Sequence, residues 1–195
     1  MLLLASFTAA LAAGAAAQSI SAAKTVSNIN GITSMSSALD KTAKTVTLLN
    51  GFQTGPQVID GFNAIVQTAT KDYNEMNGGK QKRSETPKHP HWNVARQSTK
   101  YTVKEQDAVC NAFIDFVKVH QALLATVIGK HGILEVTGVA YQMAAVLRSV
   151  EGVVDEIAFT LIAEVPHCAA KANAQKKQLD QSLQKSIDTY ADGLP

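Results

Sequence analysis

The stretch CNAFIDFVKVHQALLATVIGKH, from Cys110 to His131, decides the fold, because its apolar residues recur at spacings of three and four. This period predicts a helix with a broad apolar face rather than a strand. A second stripe of the same period runs from Val139 to Ile162, after a short break at Gly132–Gly138. So short a break predicts that the two helices form an antiparallel pair, around which we expect the rest of the chain to pack.

Helical periods continue on both sides of this pair. Residues 19–49 show a helical period and are predicted to form one helix. The face of this helix opposite the apolar stripe is crowded with Ser and Thr, which are weak helix formers, so tertiary packing must stabilise it. A second helix is predicted over residues 57–76, with Gly55 and Pro56 in the break before it. A narrow amphipathic stripe after Pro166 predicts a final helix.

These periods together predict an all-α fold, an antiparallel bundle of four or five helices with one long basic loop. The chain has 195 residues, of which 46% are apolar, and this is enough for one domain with a real core. We place that domain at residues 18–195. Thr102 is typical of a helix N-cap, with Glu105 and Gln106 close to the capping-box position, and it marks the start of the central helix.

An exposed, inserted loop is predicted over residues 77–103. Within residues 77–104, seven Lys and Arg accompany a single acid, so this stretch carries +6 in a chain of net charge +2. Its lack of periodicity is typical of an exposed loop, and a solvated insertion is the plainer interpretation. A protease site, a stray metal site and a polysaccharide contact are open alternatives, at Lys82-Arg83, His89-Pro90-His91 and Trp92. The overall charge is too small to indicate a nucleic-acid partner.

Residues 1–17, MLLLASFTAALAAGAAA, are typical of a secretory signal peptide. Ala15 and Ala17 stand at positions −3 and −1 before Gln18, although no Lys or Arg precedes the apolar run. The alternative is an apolar N-terminal helix in the mature protein. No other stretch approaches the about 20 apolar residues of a membrane span, so we expect no transmembrane segment. The expected location is therefore secreted, extracellular or in the cell wall.

The chain has two cysteines, Cys110 and Cys168, which secretion would place in an oxidising compartment. In an antiparallel helix pair, the end of the second helix returns to the start of the first, so Cys168 comes back toward Cys110. We therefore expect a disulfide between them. The alternative is a pair of buried thiols that act as small apolar residues.

Polar residues of the central pair form one candidate catalytic or metal cluster. A turn near Leu134 would place His120 opposite Arg148, with Glu151 and Asp155 close by. Helical di-metal sites, however, use paired Glu-x-x-His motifs, and no helix here carries one. The chain also lacks a nucleophile elbow, a phosphate loop and Cys/His metal spacing. We therefore expect a structural cluster, no cofactor, no metal and no enzymatic activity.

Three segments resemble one known family. Residues 107–134 (DAVCNAFIDFVKVHQALLATVIGKHGIL), 146–169 (VLRSVEGVVDEIAFTLIAEVPHCA) and 179–191 (LDQSLQKSIDTYA) resemble the fungal hydrophobic surface binding protein A family, also called cell wall galactomannoproteins. The resemblance implies a secreted, all-helical protein without enzymatic activity that adsorbs to hydrophobic surfaces. Some relatives hold fatty acids between helices. The loop at residues 80–100 is longer and more basic than the link usual in the family.

Function is predicted to be the binding of hydrophobic surfaces or fatty-acid-like lipids by a secreted, cell-wall-associated protein. The chain has more apolar residues than the core of a thin bundle needs, and Phe159 is expected to be one of the core residues. The space between facing helices of such a bundle can hold an acyl chain. The lipid-binding candidates are Phe62, Ile65, Val66, Phe113, Val117, Leu124, Met143, Leu147 and Val150. Cell wall polysaccharide is a further candidate partner. The alternative is a structural wall protein with a filled core, no ligand and O-linked mannose, since no Asn-x-Ser/Thr sequon occurs.

Overall fold

Helices make up most of the residues that the computed structural model describes, which are residues 20–77 and 100–191. The predicted signal peptide at residues 1–17 and residues 78–99 of the predicted loop lie outside this part of the chain. The described part holds five long helices and one short helix, and no strand, so the all-α prediction is confirmed. The helices are α1 (Ala22–Lys44), α2 (Gly51–Met76), α3 (Val103–Gly129), α4 (His131–Val136), α5 (Ala140–Glu164) and α6 (Ala169–Ala191).

The five long helices form a closed ring in the order α3, α1, α2, α5, α6, and each packs against the helix on either side of it. Long helices that follow one another in sequence run in opposite directions. Side-by-side neighbours often run in the same direction: the Tyr101 hydroxyl lies 3.0 Å from Thr25 Oγ1 at one end of α1, and Lys130 Nζ donates to the Val46 carbonyl at the other. The core lies inside this ring.

The prediction that α3 and α5 pack side by side as a pair is wrong. The two helices do run in opposite directions, but α3 packs chiefly between α1 and α6, and α5 packs chiefly between α2 and α6. Both helices are apolar over much of their circumference, so each needs cover on several sides. The six-residue α4 carries the chain across the end of the ring, and α3 and α5 then face each other across the core.

The start of α3 agrees with the sequence prediction, and the start of α2 does not. At α3 the predicted capping box is present: Glu105 N donates to Thr102 Oγ1, and Thr102 N donates to Glu105 Oε2 at 2.8 Å. The start predicted for α2 at residue 57 is wrong, because the helix already begins at Gly51 and contains Pro56. Pro56 lies on the exposed side of the helix, where a missing hydrogen bond can be replaced by solvent.

The predicted disulfide between Cys110 and Cys168 is confirmed, with the two Cα atoms 6.6 Å apart. It joins the central helix α3 to the start of the last helix, α6, as expected. Gln106 supports the same junction: its side chain accepts a hydrogen bond from His167 N at 2.8 Å and donates to the Tyr101 carbonyl. The α3–α6 side of the ring is therefore held covalently and by polar contacts.

Two surface features differ from what the apolar stripes indicate. Phe159, expected in the core, is 75% exposed, because it lies on the outer side of α5, away from the residues that pack inward. By length and composition α3 could cross a membrane, but half of its most apolar window is buried inside the bundle. A helix at the centre of a protein core has the same composition, so this feature is weak evidence for a membrane span.

Candidate functional site

A small apolar cavity lies inside the ring between α1, α2, α3 and α5. Its volume of about 20 Å³ is lined by Ile29, Ile32, Ile65, Ala69, Phe113, Phe116, Val154 and Ile157. That is room for about one water molecule, whereas ligand pockets usually measure about 300–1,000 Å³. An acyl chain can therefore enter only if the surrounding helices move apart.

Two of the nine predicted lipid-binding residues, Ile65 and Phe113, line this cavity. Six others are buried in the same core but outside the cavity wall: Phe62, Val117, Leu124, Met143, Leu147 and Val150. Val66 is only partly buried and lines a shallow groove on the outside of α2, beside Ile20. The prediction thus identified core residues, and the ring arrangement decides which of them surround the cavity.

Sequence reasoning did not select six cavity residues as lipid-binding candidates, although all six belong to recognisable helical stripes. These six are Ile29, Ile32, Ala69, Phe116, Val154 and Ile157. A stripe shows which face of a helix is apolar, but not which neighbouring helix that face meets. Only the order of helices in the ring brings α1 and α2 to the same cavity as α3 and α5.

A buried polar pair lies one helical turn from the cavity. His120 and Ser36 are each fully buried, and Ser36 Oγ lies 3.0 Å from His120 Nδ1. The ring of His120 packs against the ring of Phe116, a cavity residue, with centroids 5.2 Å apart. Burial lowers the pKa of His120 to about 4, so the imidazole is neutral at physiological pH.

The cluster proposed around His120 is not formed. Arg148 is exposed, and Asp155 pairs with Lys176 at 2.7 Å on the α5–α6 side of the ring. Within residues 20–77 and 100–191, no group of three His, Cys, Asp or Glu side chains is arranged to hold a metal ion. The chemistry of this interior is therefore that of an apolar site with one imidazole at its edge.

An exposed apolar surface occupies the end of the bundle where α1 meets α2 and where α5 begins. We call it the apolar end, and its members are Leu48, Leu49, Phe52, Val136 and Tyr141. These segments are neighbours, because Gly51 packs closely against the side chains of Thr137 and Ile133. Clustered exposed apolar residues are typical of a surface that meets another apolar surface.

The protein is thus a ring of five long helices around a closed apolar cavity. No protein-family model and no curated protein matches the sequence. The fold is similar to that of two solved structures, both of which contain fatty acids.

One of these structures is ligand binding domain 1 of the Penicillium marneffei MP1 protein, complexed with arachidonic acids. It has a TM-score of 0.68 and 16% identity, over 84% of this chain and 94% of that one. The other is AFMP4P in complex with palmitic acid, with a TM-score of 0.60 and 12% identity, over 87% of this chain and 99% of that one. At these identities the likeness shows a shared fold.

Proposed function

We propose that this chain binds a fatty-acid-like lipid inside the helical ring. The observation that carries the proposal is that two solved structures of the same fold hold arachidonic acids and palmitic acid. The apolar cavity between α1, α2, α3 and α5 supports it, because its lining has the chemistry of an acyl-chain site. Burial of aliphatic surface, at roughly 25 cal/mol per Å², would supply the affinity, reduced by the ordering of the chain.

Binding requires the ring to open, and we propose that α2 moves away from α5. Among the described residues, side-chain polar contacts tie α2 to the other helices only at Glu75, which lies 3.5 Å from Asn28 and 3.4 Å from Lys24. The α3–α6 side, by contrast, has the disulfide and the hydrogen bond from the Tyr190 hydroxyl to the Val127 carbonyl. The ring is therefore most easily opened at α2.

Native mass spectrometry of protein stripped of lipid and then given palmitic acid tests this function. We expect one bound palmitate per chain. In Ala69→Leu the added side chain fills the cavity, so uptake should be lost while the fold survives at a cost of about 1–3 kcal/mol. Ala145→Leu, at an exposed position of α5, is the matched control and should bind as the natural chain does.

Two outcomes would contradict the proposal. A folded natural chain that never carries palmitate would favour the structural, O-mannosylated wall protein with a filled core. Equal uptake by Ala69→Leu would place the lipid somewhere other than the cavity. Thermal unfolding of both variants shows that any loss of uptake is not a loss of fold.

A second candidate function, adsorption to hydrophobic surfaces, is favoured by the apolar end. Its five side chains are exposed on neighbouring segments, as a surface that meets wax or a lipid layer requires. Lipid binding and adsorption are compatible, since one uses the interior of the ring and the other uses its end.

We further propose that the protein is secreted, wall-associated and without enzymatic activity. Residues 1–17 and the resemblance to cell wall galactomannoproteins support the location. The burial of His120 inside the core and the exposure of Arg148 to solvent support the absence of a catalytic cluster. N-terminal sequencing of the protein from a culture medium should start at Gln18, and an intact Met1 on intracellular protein would contradict the location.

A further inference from the structure

The hydrogen bonds of Ser36 determine the tautomer of His120. Ser36 Oγ lies 3.0 Å from the Ile32 carbonyl, which can only accept, so the single hydroxyl proton is donated there. Ser36 Oγ then accepts a hydrogen bond from His120 Nδ1, which also lies 3.0 Å away. From this pattern we assign the proton of the neutral imidazole to Nδ1, which leaves an unshared electron pair on Nε2.

That Nε2 atom is buried and has no hydrogen-bond partner among the described residues. A buried acceptor without a donor is destabilising, and native proteins usually provide a partner. His120 Nε2 can therefore accept a hydrogen bond from a ligand that enters the core beside the imidazole. Its chemistry is specific, because a lone pair accepts a hydrogen bond and cannot donate one.

The pair also lies at one end of the proposed lipid cavity. Ser36 follows the cavity residue Ile32 by one turn of α1, and His120 follows Phe116 by one turn of α3. Phe116 and His120 are in ring contact, so an acyl chain between α1 and α3 would end beside the imidazole.

We infer that His120 Nε2 accepts a hydrogen bond from the polar head of the bound lipid. The site then selects single-chain amphiphiles whose head carries an O–H donor, namely protonated fatty acids and fatty alcohols, over their methyl esters and ethers. No proton passes to the imidazole, which remains neutral: a fatty alcohol keeps its O–H, and a fatty acid that is ionised in solution takes up one proton from solvent as it binds. The inference rests on the proposed function, because it names the head group that the same interior site recognises.

Matched pairs of ligands test this preference directly. The pairs are palmitic acid with methyl palmitate, and hexadecan-1-ol with its methyl ether, each titrated against lipid-free protein. We expect hexadecan-1-ol to bind roughly tenfold more tightly than its methyl ether, the net effect of one buried hydrogen bond, and palmitic acid to show the same preference over methyl palmitate when both are titrated below the pKa of the fatty-acid carboxyl group. In His120→Phe the O–H preference should disappear, while any difference caused by the bulk of the methyl group remains.

Ser36→Ala provides a second variant with a different expected result. It removes the acceptor that holds the proton on Nδ1, so the ring is free to carry its proton on Nε2 and to act as a donor there. The preference for O–H ligands should then weaken or reverse toward the ester and ether. A residue that only fills space would leave this preference unchanged.

The outcomes separate this inference from the proposed function. If the natural chain binds neither member of either pair, the proposed function fails and the inference fails with it. If it binds all four ligands with equal affinity, lipid binding stands and the inference is overturned. A full O–H preference that persists in Ser36→Ala, or in a folded His120→Phe, also overturns it.

Discussion

His120 makes the stability of the fold depend on pH. Its pKa falls from an ordinary value of 6.5 to about 4 because the charged imidazolium is excluded from the core. As pH falls below 6.5 the unfolded chain takes up a proton at this position while the folded chain does not. The stability present above pH 6.5 is therefore lost progressively toward pH 4, by roughly 3 kcal/mol in total.

Denaturant unfolding at a series of pH values checks this prediction. The free energy of unfolding should fall between pH 6.5 and pH 4 in the natural chain, and more gently in His120→Phe. The variant retains His131 and His167, so the difference between the two curves isolates the buried imidazole. Parallel curves would contradict the prediction.

Individual residues were predicted well where local chemistry is sufficient. Thr102 and Glu105 form the expected capping box, since that motif needs only four consecutive residues. Phe159 was predicted poorly, because it is the kind of residue that usually lies in a core, and it is nevertheless exposed on the outer side of α5. Residue type gives an average burial, and the packing of the helix decides the individual case.

At the scale of elements, the ring has a firmly held side and a loosely held side. The disulfide holds α3 to the start of α6 and closes a loop with a sequence separation of 58. Because it reduces the conformational entropy of the unfolded chain, it contributes roughly 4 kcal/mol to the free energy of unfolding. The described contacts of α2 include a single polar tie to another helix, through Glu75. Local opening should therefore begin at α2.

Hydrogen exchange measured by helix checks this asymmetry. In lipid-free protein we expect the central amides of α2 to exchange faster than those of α3, because separation of α2 exposes them. Palmitic acid should slow exchange in α2 most, since a bound chain would lie against Ile65 and Ala69. Exchange that is equal in the two helices, or protection by palmitic acid confined to α6, would show that the ring does not open at α2.

At the scale of the whole molecule, the apolar end and the cavity are formed by different residues, so the two proposed functions can be tested separately. Phe52→Ser together with Leu49→Ser should reduce adsorption to hydrophobic beads several-fold, because it removes two large exposed apolar side chains from the apolar end. Uptake of palmitic acid should not change, as neither residue lines the cavity.

Phe159→Ser is the matched control for this experiment. Phe159 is as exposed as Phe52 but lies near the other end of α5, away from the apolar end. Adsorption that falls equally with Phe159→Ser would mean that general hydrophobicity, rather than the apolar end, mediates binding to the beads.

The sequence by itself determined the existence of the five long helices, most of the core residues and the pairing of the two cysteines. Helix formation and capping depend on residues a few positions apart, and a period of three to four identifies a buried face wherever its partner lies. Two cysteines allow a single intramolecular pairing, so Cys110 could bond only to Cys168. Eight of the nine lipid-binding candidates are buried for the same reason.

The tertiary structure alone decided which helices are neighbours, and with that the site. An apolar face can bury itself against several partners at similar free energy, so the stripes of α3 and α5 were compatible with a side-by-side pair. Placing α1 and α6 on either side of α3 instead creates the cavity at Ile32 and Phe116 and brings Ser36 to His120. Those two residues are 84 positions apart, and only packing across the ring makes them one polar group inside an apolar core.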